Sequence, residues 1–449
     1  MRRITAASVV LLTLTAGTAL ASPASAGPAG SDRPAERAST RPSVAGVDNP
    51  GPAFWARQKA VGDVADAIVA TSRTLPKQGG YGGLVTAPEK SRITVYWKGR
   101  VPAAVRRAAG SDGRVKVSVE RAPYTQRQLR TARDRVFAQR ERLPEKLTSV
   151  GPSADGKGLL IGVAQADRGT ALSGRETASL TRSVADITGG IALTRVRTEN
   201  PQAATGKSPK GAVRAAGRVG EQAFGGARWV YPGPDGRYNC STGFAVRYPA
   251  NTARLMTSAA HCGGQNVKAY SPEFPDSRPF GWIGQRDTER DVNLLYPEQS
   301  SNPGFFQSRM WWGPWAYGGG DQQTWPVKGL HQNHVGQKVC SSGAASGNIC
   351  DITIDATEQT VVTNSGTIYR TIKVSKPAGQ PIWGPGDSGG PISQPNGSDV
   401  YANGIVSSSD KAAFPASCQG DTDRNCASVG WYAPLDIYLE KHGLELVTE

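Results

Sequence analysis

The segment Gly386–Pro391, which reads Gly-Asp-Ser-Gly-Gly-Pro, constrains the fold of this 449-residue chain more than any other stretch. Glycine and proline at this density end helices and mark turns, so Ser388 is expected in a turn. The neighbouring glycines leave its hydroxyl clear of other side chains and let a second backbone come close. The segment therefore predicts a turn that presents a serine, in a region without helix.

Short β-type runs separated by Gly, Pro, Asn and Asp fill much of the C-terminal half. Examples are Ile352–Ile354, Val361–Thr363 and Thr371–Val374. Many short strands with frequent turns indicate a sandwich or a barrel rather than alternating strands and helices. Within the C-terminal half, only Pro434–Leu444 has the spacing of a helix, with apolar residues among charged ones.

The first 26 residues have the pattern of a secretory signal. Arg2 and Arg3 precede an apolar run, and Ala24-Ser25-Ala26 fits a small-residue cleavage site. The apolar run is shorter than the roughly 20 residues that a membrane-spanning helix needs, and no later stretch reaches that length. We expect a secreted, extracellular protein that is not held in a membrane.

The sequence pattern of the region that follows predicts a small α+β unit between two flexible stretches. Residues 27–50 are rich in Pro, Ala, Ser and Gly, and residues 200–226 have the composition of a linker. Between them, residues 53–197 contain neither cysteine nor histidine. Their patterns predict strands at Ile93–Trp97, Val115–Val119 and Leu159–Val163, and a solvated helix at Thr125–Leu143.

The net charge of +15 is unevenly distributed along the chain. Residues 27–225 carry +16, whereas residues 226–449 carry −3. A basic protein suggests nucleic acid as a partner, but here the positive charge lies outside the part with the serine motif. We therefore expect no nucleic-acid partner.

All six cysteines lie in the C-terminal half, and an even number in an exported chain indicates disulfides. Of the 15 possible pairings, the simplest joins neighbours. It gives Cys240–Cys262, Cys340–Cys350 and Cys418–Cys426. Zinc binding is the rival interpretation, and the absence of any Cys-x-x-Cys pair disfavours it.

A serine nucleophile needs an imidazole to take its proton and an acid to orient that imidazole. The chain has four histidines, and His261 stands beside a cysteine at the end of an apolar run. Asp291 directly precedes the run Val-Asn-Leu-Leu, whereas the residues after its competitor Asp287 are polar. The predicted triad is therefore His261, Asp291 and Ser388, with the backbone N–H groups of Gly386 and Ser388 as the oxyanion hole.

Three segments, Ser-Ala-Ala-His-Cys, Asp-Val-Asn-Leu-Leu and Gly-Asp-Ser-Gly-Gly-Pro, resemble those of the chymotrypsin-like serine peptidases in order and spacing. Residues 335–350 and 240–244 are similar to the bacterial branch of streptogrisins and alpha-lytic protease. The resemblance covers about residues 226–445. It implies an all-β fold of two packed six-stranded antiparallel β-barrels with a C-terminal helix, preceded by a small α+β pro-region. The domains would then be a signal peptide at 1–26, a pro-region with its linker at 27–215 and a serine protease domain at 216–449.

The chain departs from that branch beside the nucleophile. Ile382, followed by Trp383, stands where the streptogrisins have a disulfide cysteine, so Cys426 is expected to replace it as the partner of Cys418. The branch has a basic residue at the position of Ser341 that pairs with the aspartate before the nucleophile, so the partner of Asp387 is left open. The resemblance further implies that four residues bind substrate: Ser407, Ser408, Ser409 and Gly430. With no acid at Ile382, we expect a preference for small or apolar residues rather than Lys or Arg.

The function so implied is a secreted serine endopeptidase that acts through an acyl-enzyme, without cofactor or metal. Its partners would be peptide or protein substrates and its own pro-region, and we expect a monomer. One alternative is an inactive homologue that only binds peptides. Another is an α/β-hydrolase esterase that uses Ser388, Asp410 or Asp436, and His442, but its nucleophile must open a helix, and Gly389-Gly390-Pro391 disfavours one. His331 and His334 suggest a metal site, yet no third ligand is evident.

Overall fold

Residues 49–449 define the structure of this chain in a computed structural model, apart from several gaps. The gaps are residues 77–78, 111, 165–171, 205, 208–222, 234, 273–278, 299–303, 314–322, 415–417 and 422–423. The predicted signal peptide at 1–26 therefore lies outside the described residues, as do residues 27–48 and most of the predicted linker.

The first part of the N-terminal region is a long helix packed on a three-stranded sheet. Helix α1 (Pro52–Thr74) has proline in its first turn, and its valine, alanine and isoleucine residues recur at helical spacing on one buried face. The remaining elements are β1 (Tyr81–Ala87), β2 (Arg92–Trp97), α2 (Ala103–Ala109) and β3 (Lys116–Arg121). β1 and β2 pair antiparallel, whereas β2 and β3 are parallel and are joined through α2.

The second part repeats this arrangement of helices on a short sheet. Its elements are α3 (Gln126–Ala138), β4 (Leu147–Pro152), β5 (Leu159–Ala164), α4 (Gly174–Thr188) and β6 (Leu193–Glu199). Capping boxes at Thr125 and Ser173 start the two helices. The predicted α+β unit is confirmed, and the helix predicted to end at Leu143 ends at Ala138, before a 3₁₀ turn. Two short strands follow, β7 (Pro201–Ala203) and β8 (Gly206–Lys207).

Seven strands form the first barrel of the C-terminal half. They are β9 (Arg228–Gly233), β10 (Gly236–Ser241), β11 (Ala245–Arg247), β12 (Leu255–Ser258), β13 (Lys268–Tyr270), β14 (Pro279–Asp287) and β15 (Val292–Pro297). β10 pairs with β9 and β11 pairs with β12, so the run from β10 to β11 acts as one bent strand. The remaining pairs run from β12 through β15, β14 and β13 back to β9, which closes a six-stranded antiparallel barrel.

A hairpin-like pair, β16 (Arg309–Trp312) and β17 (Gln323–Leu330), precedes the second barrel. The barrel strands are β18 (Lys338–Gly343), β19 (Gly347–Thr363), β20 (Gly366–Ser375), β21 (Pro391–Asn396), β22 (Asp399–Asp410) and β23 (Val429–Pro434). The pairs β18–β19, β19–β20, β20–β23, β23–β22, β22–β21 and β21–β18 close the ring, and all are antiparallel. Helix α5 (Leu435–His442) and β24 (Glu445–Leu446) end the chain, and β24 returns to β11 of the first barrel. The predicted fold class of two six-stranded antiparallel barrels with a C-terminal helix is confirmed.

The N-terminal region adds strands to both barrels. β4 pairs with β19, β7 with β22, and β8 with β10, all antiparallel. Composition places residues 201–207 in a linker, but residues 201–203 and 206–207 are strands. Strand pairing there uses backbone N–H and carbonyl groups, which every residue type except proline supplies in full, so composition gives little sign of it.

The three disulfides join neighbouring cysteines, as predicted. They are Cys240–Cys262, Cys340–Cys350 and Cys418–Cys426. The first links β10 to the turn that carries His261. No helix among the described residues has the length and the apolar character to cross a membrane.

Candidate active site

The predicted triad residues come from both barrels and meet in the cleft between them. His261 lies in a 3₁₀ turn (Ala260–Cys262) directly after β12, and Asp291 directly precedes β15. Ser388 lies in the turn that leads into β21 of the second barrel. Strands β12 and β15 are paired, so the histidine and the aspartate are held at one edge of one sheet.

Hydrogen bonds connect these three residues in series, from Asp291 through His261 to Ser388. The Nδ1 atom of His261 is 2.8 Å from Oδ2 of Asp291 and 3.0 Å from Oδ1. On the other side of the ring, Nε2 is 2.7 Å from Oγ of Ser388. The backbone N–H of His261 also donates to Asp291 Oδ1 at 3.0 Å. The carboxylate thus orients the imidazole, and the imidazole can accept the serine proton.

Asp291 is held in an uncommon backbone conformation. Its φ of +54° lies in the left-handed region, which aspartate tolerates better than most side chains but which remains uncommon for a non-glycine residue. The side chain is buried, and the hydroxyl of Ser407 donates to its Oδ2 at 2.6 Å. Sequence reasoning placed Ser407 with the substrate-binding residues, and its side chain in fact supports the carboxylate.

Asp287, the competitor for the acid role, faces away from His261. Its Oδ2 accepts hydrogen bonds from Nζ of Lys441 and Nε2 of His442, each at 2.8 Å. Burial alone would raise the pKa of Asp287, but these two partners hold it below its ordinary value. His442, which lies on α5, is therefore hydrogen-bonded to Asp287. The esterase arrangement, which needs His442 beside Ser388, is not assembled.

The turn around Ser388 is packed too tightly for side chains at its glycines. Gly389 has a φ of +81°, and a Cβ at this position would lie 2.4 Å from Oγ of Ser258 and 2.5 Å from the carbonyl oxygen of Ser241. Gly386 has a φ of +97°. Its N–H, one of the predicted oxyanion donors, points at the carbonyl oxygen of Ala204 at a distance of 3.0 Å.

Asp387 is fully buried, and its partner is a residue that sequence reasoning missed. Oδ2 of Asp387 is 2.9 Å from Nη1 of Arg424, whose side chain is also buried. The N–H groups of Gly384, Ala345 and Ser346 donate to the same carboxylate at 2.8–3.0 Å. Burial would raise the pKa of Asp387, but the charge of Arg424 and these hydrogen bonds lower it. The only sequence signal was the position of Arg424 inside the small Cys418–Cys426 loop.

Trp383 lies among the residues predicted to bind substrate. Its side chain is fully buried, and its Nε1–H donates to the carbonyl oxygen of Ser408 at 3.2 Å. A Cβ at Gly430 would lie 2.6 Å from Cζ2 of the indole. Ser408 and Ser409 use their backbones to pair with β7. The indole therefore fills the space between the serine strand and Gly430.

The two other histidines lie apart from this cleft. Nε2 of His334 is 2.5 Å from Oδ1 of Asp66 on helix α1, and Nδ1 of His331 is 2.9 Å from the carbonyl oxygen of Gln332. Burial lowers the pKa of His331. Within the described residues, both histidines thus lie where the N-terminal helix packs on the second barrel.

The fold and the cleft define a protein of two antiparallel barrels with a serine, a histidine and an aspartate hydrogen-bonded between them. No protein-family model matches the chain, and no curated protein matches it. Among solved structures, the chain is similar to protease A of Thermobifida fusca at 26% identity, over 51% of this chain and 99% of that one, with a TM-score of 0.36. It is also similar to a chymotrypsin of Cellulomonas bogoriensis at 24% identity, over 51% and 99%, with a TM-score of 0.35.

A third similar structure is an alpha-lytic protease homologue, N4, at 18% identity, over 49% of this chain and 97% of that one, with a TM-score of 0.33. The structures named are a protease, a chymotrypsin and an alpha-lytic protease homologue, the classes of protein that the sequence resembles. Their TM-scores are low, so the architecture of this chain rests on its own strand pairing.

Proposed function

We propose that the chain is the precursor of a secreted serine endopeptidase that hydrolyses peptide bonds through an acyl-enzyme. The observation that carries this proposal is the line of hydrogen bonds from Asp291 through His261 to Ser388, at 2.8 and 2.7 Å. A serine hydroxyl is a weak nucleophile by itself, and this arrangement supplies the base and the orienting acid that it needs.

In this mechanism Ser388 Oγ attacks the carbonyl carbon of the scissile bond while its proton passes to His261 Nε2. Asp291 stabilises the resulting imidazolium and keeps the ring in place. The N–H groups of Gly386 and Ser388 donate to the oxyanion, whose charge develops only in the transition state. His261 then gives its proton to the leaving amine, and water hydrolyses the acyl-enzyme by the same steps.

Residues 27–215 would act as a pro-region, a partner that is removed from the protease domain at 216–449. Its support is the number of links that the N-terminal region makes to the second barrel. β4 extends the sheet of β19, and Arg133 donates to the backbone carbonyl of Glu358 at 2.9 Å. Buried Glu199 pairs with buried Lys373 of β20.

Export is supported by the signal pattern of residues 1–26 and by the three disulfides, which persist in oxidising compartments. We expect a monomer that cleaves peptides or proteins, that needs no metal or cofactor, and that has no nucleic-acid or membrane partner.

A fluorophosphonate probe tests the proposed nucleophile. The secreted protein should be labelled on Ser388, and Ser388→Ala should abolish both labelling and peptidase activity. Ser398→Ala, in the exposed turn between β21 and β22, is the matched control and should keep both. A protein that binds peptides but shows no labelling would instead be the inactive homologue.

Two further variants test the acid and the pro-region. Asp291→Asn should lower kcat by about 10⁴, whereas Asp287→Asn should leave kcat near that of the parent. A secreted chain that lacks residues 27–215 should give little active enzyme, and normal yields would contradict a role of this region in folding.

A further inference from the structure

The chain crosses its own active-site cleft just after the N-terminal α+β unit. β7 pairs antiparallel with β22, so that Ala203 lies opposite Ser408 and Gln202 opposite Ser409. The N–H of Ala204 donates to the carbonyl oxygen of Ser407 at 3.3 Å. An extended segment that adds a strand to a sheet edge is a common mode of peptide binding. Here the edge is the strand that was predicted to hold the substrate backbone.

On the far side of the nucleophile the same segment pairs with the first barrel. Gly206 lies opposite Asn239, and Lys207 lies opposite Tyr238 of β10. The described residues of this segment therefore contact one barrel before position 205 and the other barrel after it. That is the path which a peptide must take to present one bond to Ser388.

Where this segment passes from one barrel to the other, the carbonyl group next to Gly386 is that of Ala204. It accepts the hydrogen bond from the Gly386 N–H at 3.0 Å. Gly206 also approaches this turn so closely that a Cβ on it would lie 3.0 Å from the Gly386 nitrogen. The carbonyl group that faces the oxyanion donor is the one that Ser388 attacks, so the Ala204 carbonyl is in the position of a scissile carbonyl.

The space beside the Ala204 side chain is already occupied. Ala204 is 2% exposed and belongs to the buried apolar cluster that includes Ile382, Trp383 and Val406. The Trp383 indole is anchored by its hydrogen bond to Ser408, and it lies against Gly430. A methyl group fits beside this ring, whereas a longer or aromatic side chain would have to displace a fully buried tryptophan.

We propose that Trp383 restricts this protease to substrates with alanine or a similarly small residue before the scissile bond, and that its first substrate is its own Ala204–Thr205 bond. This inference rests on the proposed function, since it names the substrate class of that same site. Cleavage there would end the pro-region at Ala204 instead of at residue 215, and Thr205 would become the first residue of the mature chain.

The reaction at this bond needs only water. Ser388 Oγ forms an ester with the Ala204 carbonyl carbon, and its proton moves through His261 Nε2 to the amine of Thr205 as the C–N bond breaks. Water then adds to the ester, gives one proton through His261 to Ser388 Oγ, and leaves Ala204 with a free carboxylate. Nothing is oxidised or reduced.

Processing of the full-length chain gives the first test. Mass spectrometry of the secreted protein should find a mature N-terminus at Thr205. Ala204→Phe should block this cut, since the phenyl ring has no room beside Trp383. Ala203→Phe is the matched control, because neighbouring strand residues point to opposite sides, and it should be processed like the parent.

Peptide turnover by the mature enzyme gives the second test. Peptides that differ only in Ala or Phe before the cleaved bond should differ by at least about 100-fold in kcat/KM in favour of Ala. Trp383→Ala should reverse or abolish this preference and should restore processing of the Ala204→Phe chain. Trp312→Ala, which changes a tryptophan that stacks on Trp325 outside the cleft, should leave the preference unchanged.

A failure of this inference can be distinguished from a failure of the proposed function. An enzyme that the fluorophosphonate labels, but that begins at another residue or cleaves the Phe peptide as fast as the Ala peptide, overturns the inference alone. A chain that no such probe labels overturns the proposed function. If Trp383→Ala fails to fold, the Ala204→Phe and Ala203→Phe chains still test the inference. Normal processing of Ala204→Phe would contradict it.

Discussion

Arg424 forms an ion pair with Asp387, with 2.9 Å between Nη1 and Oδ2, directly beside Ser388. The same guanidinium donates from Nη1 to the carbonyl oxygen of Pro385 at 2.9 Å and from Nη2 to the hydroxyl of Ser346 at 2.7 Å. It thus joins the turn of Ser388 to the hairpin between β18 and β19. This pair takes the place of the basic residue whose absence at Ser341 left Asp387 without an assigned partner.

Arg424→Met should therefore reduce both stability and activity. The substitution leaves the Asp387 charge buried without its cation, which costs about 3–5 kcal/mol when a buried pair is broken. Thermal unfolding of the protein and its rate of fluorophosphonate labelling measure the two effects. Arg247→Met, which breaks an exposed pair with Glu445, is the control and should cost at most about 1 kcal/mol. Equal losses of stability and of labelling rate in the two variants would contradict the role of Arg424.

The triad could be predicted from the sequence because each member stands in a short segment with its own local signal. His261 follows an apolar strand beside a cysteine, Asp291 precedes one, and Ser388 lies among glycines. The strand patterns also predicted a barrel or sandwich, and the resemblance selected two barrels.

Contacts between distant segments could not be predicted in this way. Arg424 lies between Cys418 and Cys426 and is 37 residues away in sequence from Asp387, with which it pairs. Ala204 lies in a stretch with the composition of a linker, and its place in the cleft depends on backbone hydrogen bonds, which no side-chain pattern reveals.

The Ser407 hydroxyl should contribute to turnover more than to substrate binding. It donates to Oδ2 of Asp291 at 2.6 Å, whereas its backbone carbonyl accepts a hydrogen bond from the N–H of Ala204. Ser407→Ala removes a hydrogen bond to a charged group, so kcat should fall about 10- to 100-fold with KM little changed. Ser407→Thr keeps a hydroxyl and should recover much of the rate. A rise in KM at constant kcat would show that the hydroxyl serves substrate binding instead.

The contact between the N-terminal region and the second barrel should weaken in acid. Burial alone would raise the pKa of Glu358, but the hydrogen bonds from Arg370 and the charges of Arg370, Arg133 and Arg130 hold it below its ordinary value. A carboxyl with a lowered folded-state pKa stabilises the fold above its unfolded pKa of about 4.3, and this stability is lost as the pH falls through the lower folded value.

The full-length Ser388→Ala chain allows this effect to be measured. Its unfolding temperature should fall as the pH is lowered from about 4.3, and Glu358→Gln in the same background should flatten that fall. Glu141→Gln changes a largely exposed carboxyl and is the control. Parallel pH curves for all three proteins would contradict a contribution from Glu358.

The Cys418–Cys426 disulfide should matter for activity through Arg424. The bridge closes a short loop with a sequence separation of 8, and loop entropy gives such a bridge roughly 2–3 kcal/mol of stability. Replacing both cysteines with alanine should also slow fluorophosphonate labelling, because Arg424 is no longer held against Asp387. In the Arg424→Met background the same replacement should lower stability without slowing labelling further, since the contact is already absent. Additive losses of labelling rate in the two backgrounds would mean that the loop supports the active site by a route independent of Arg424.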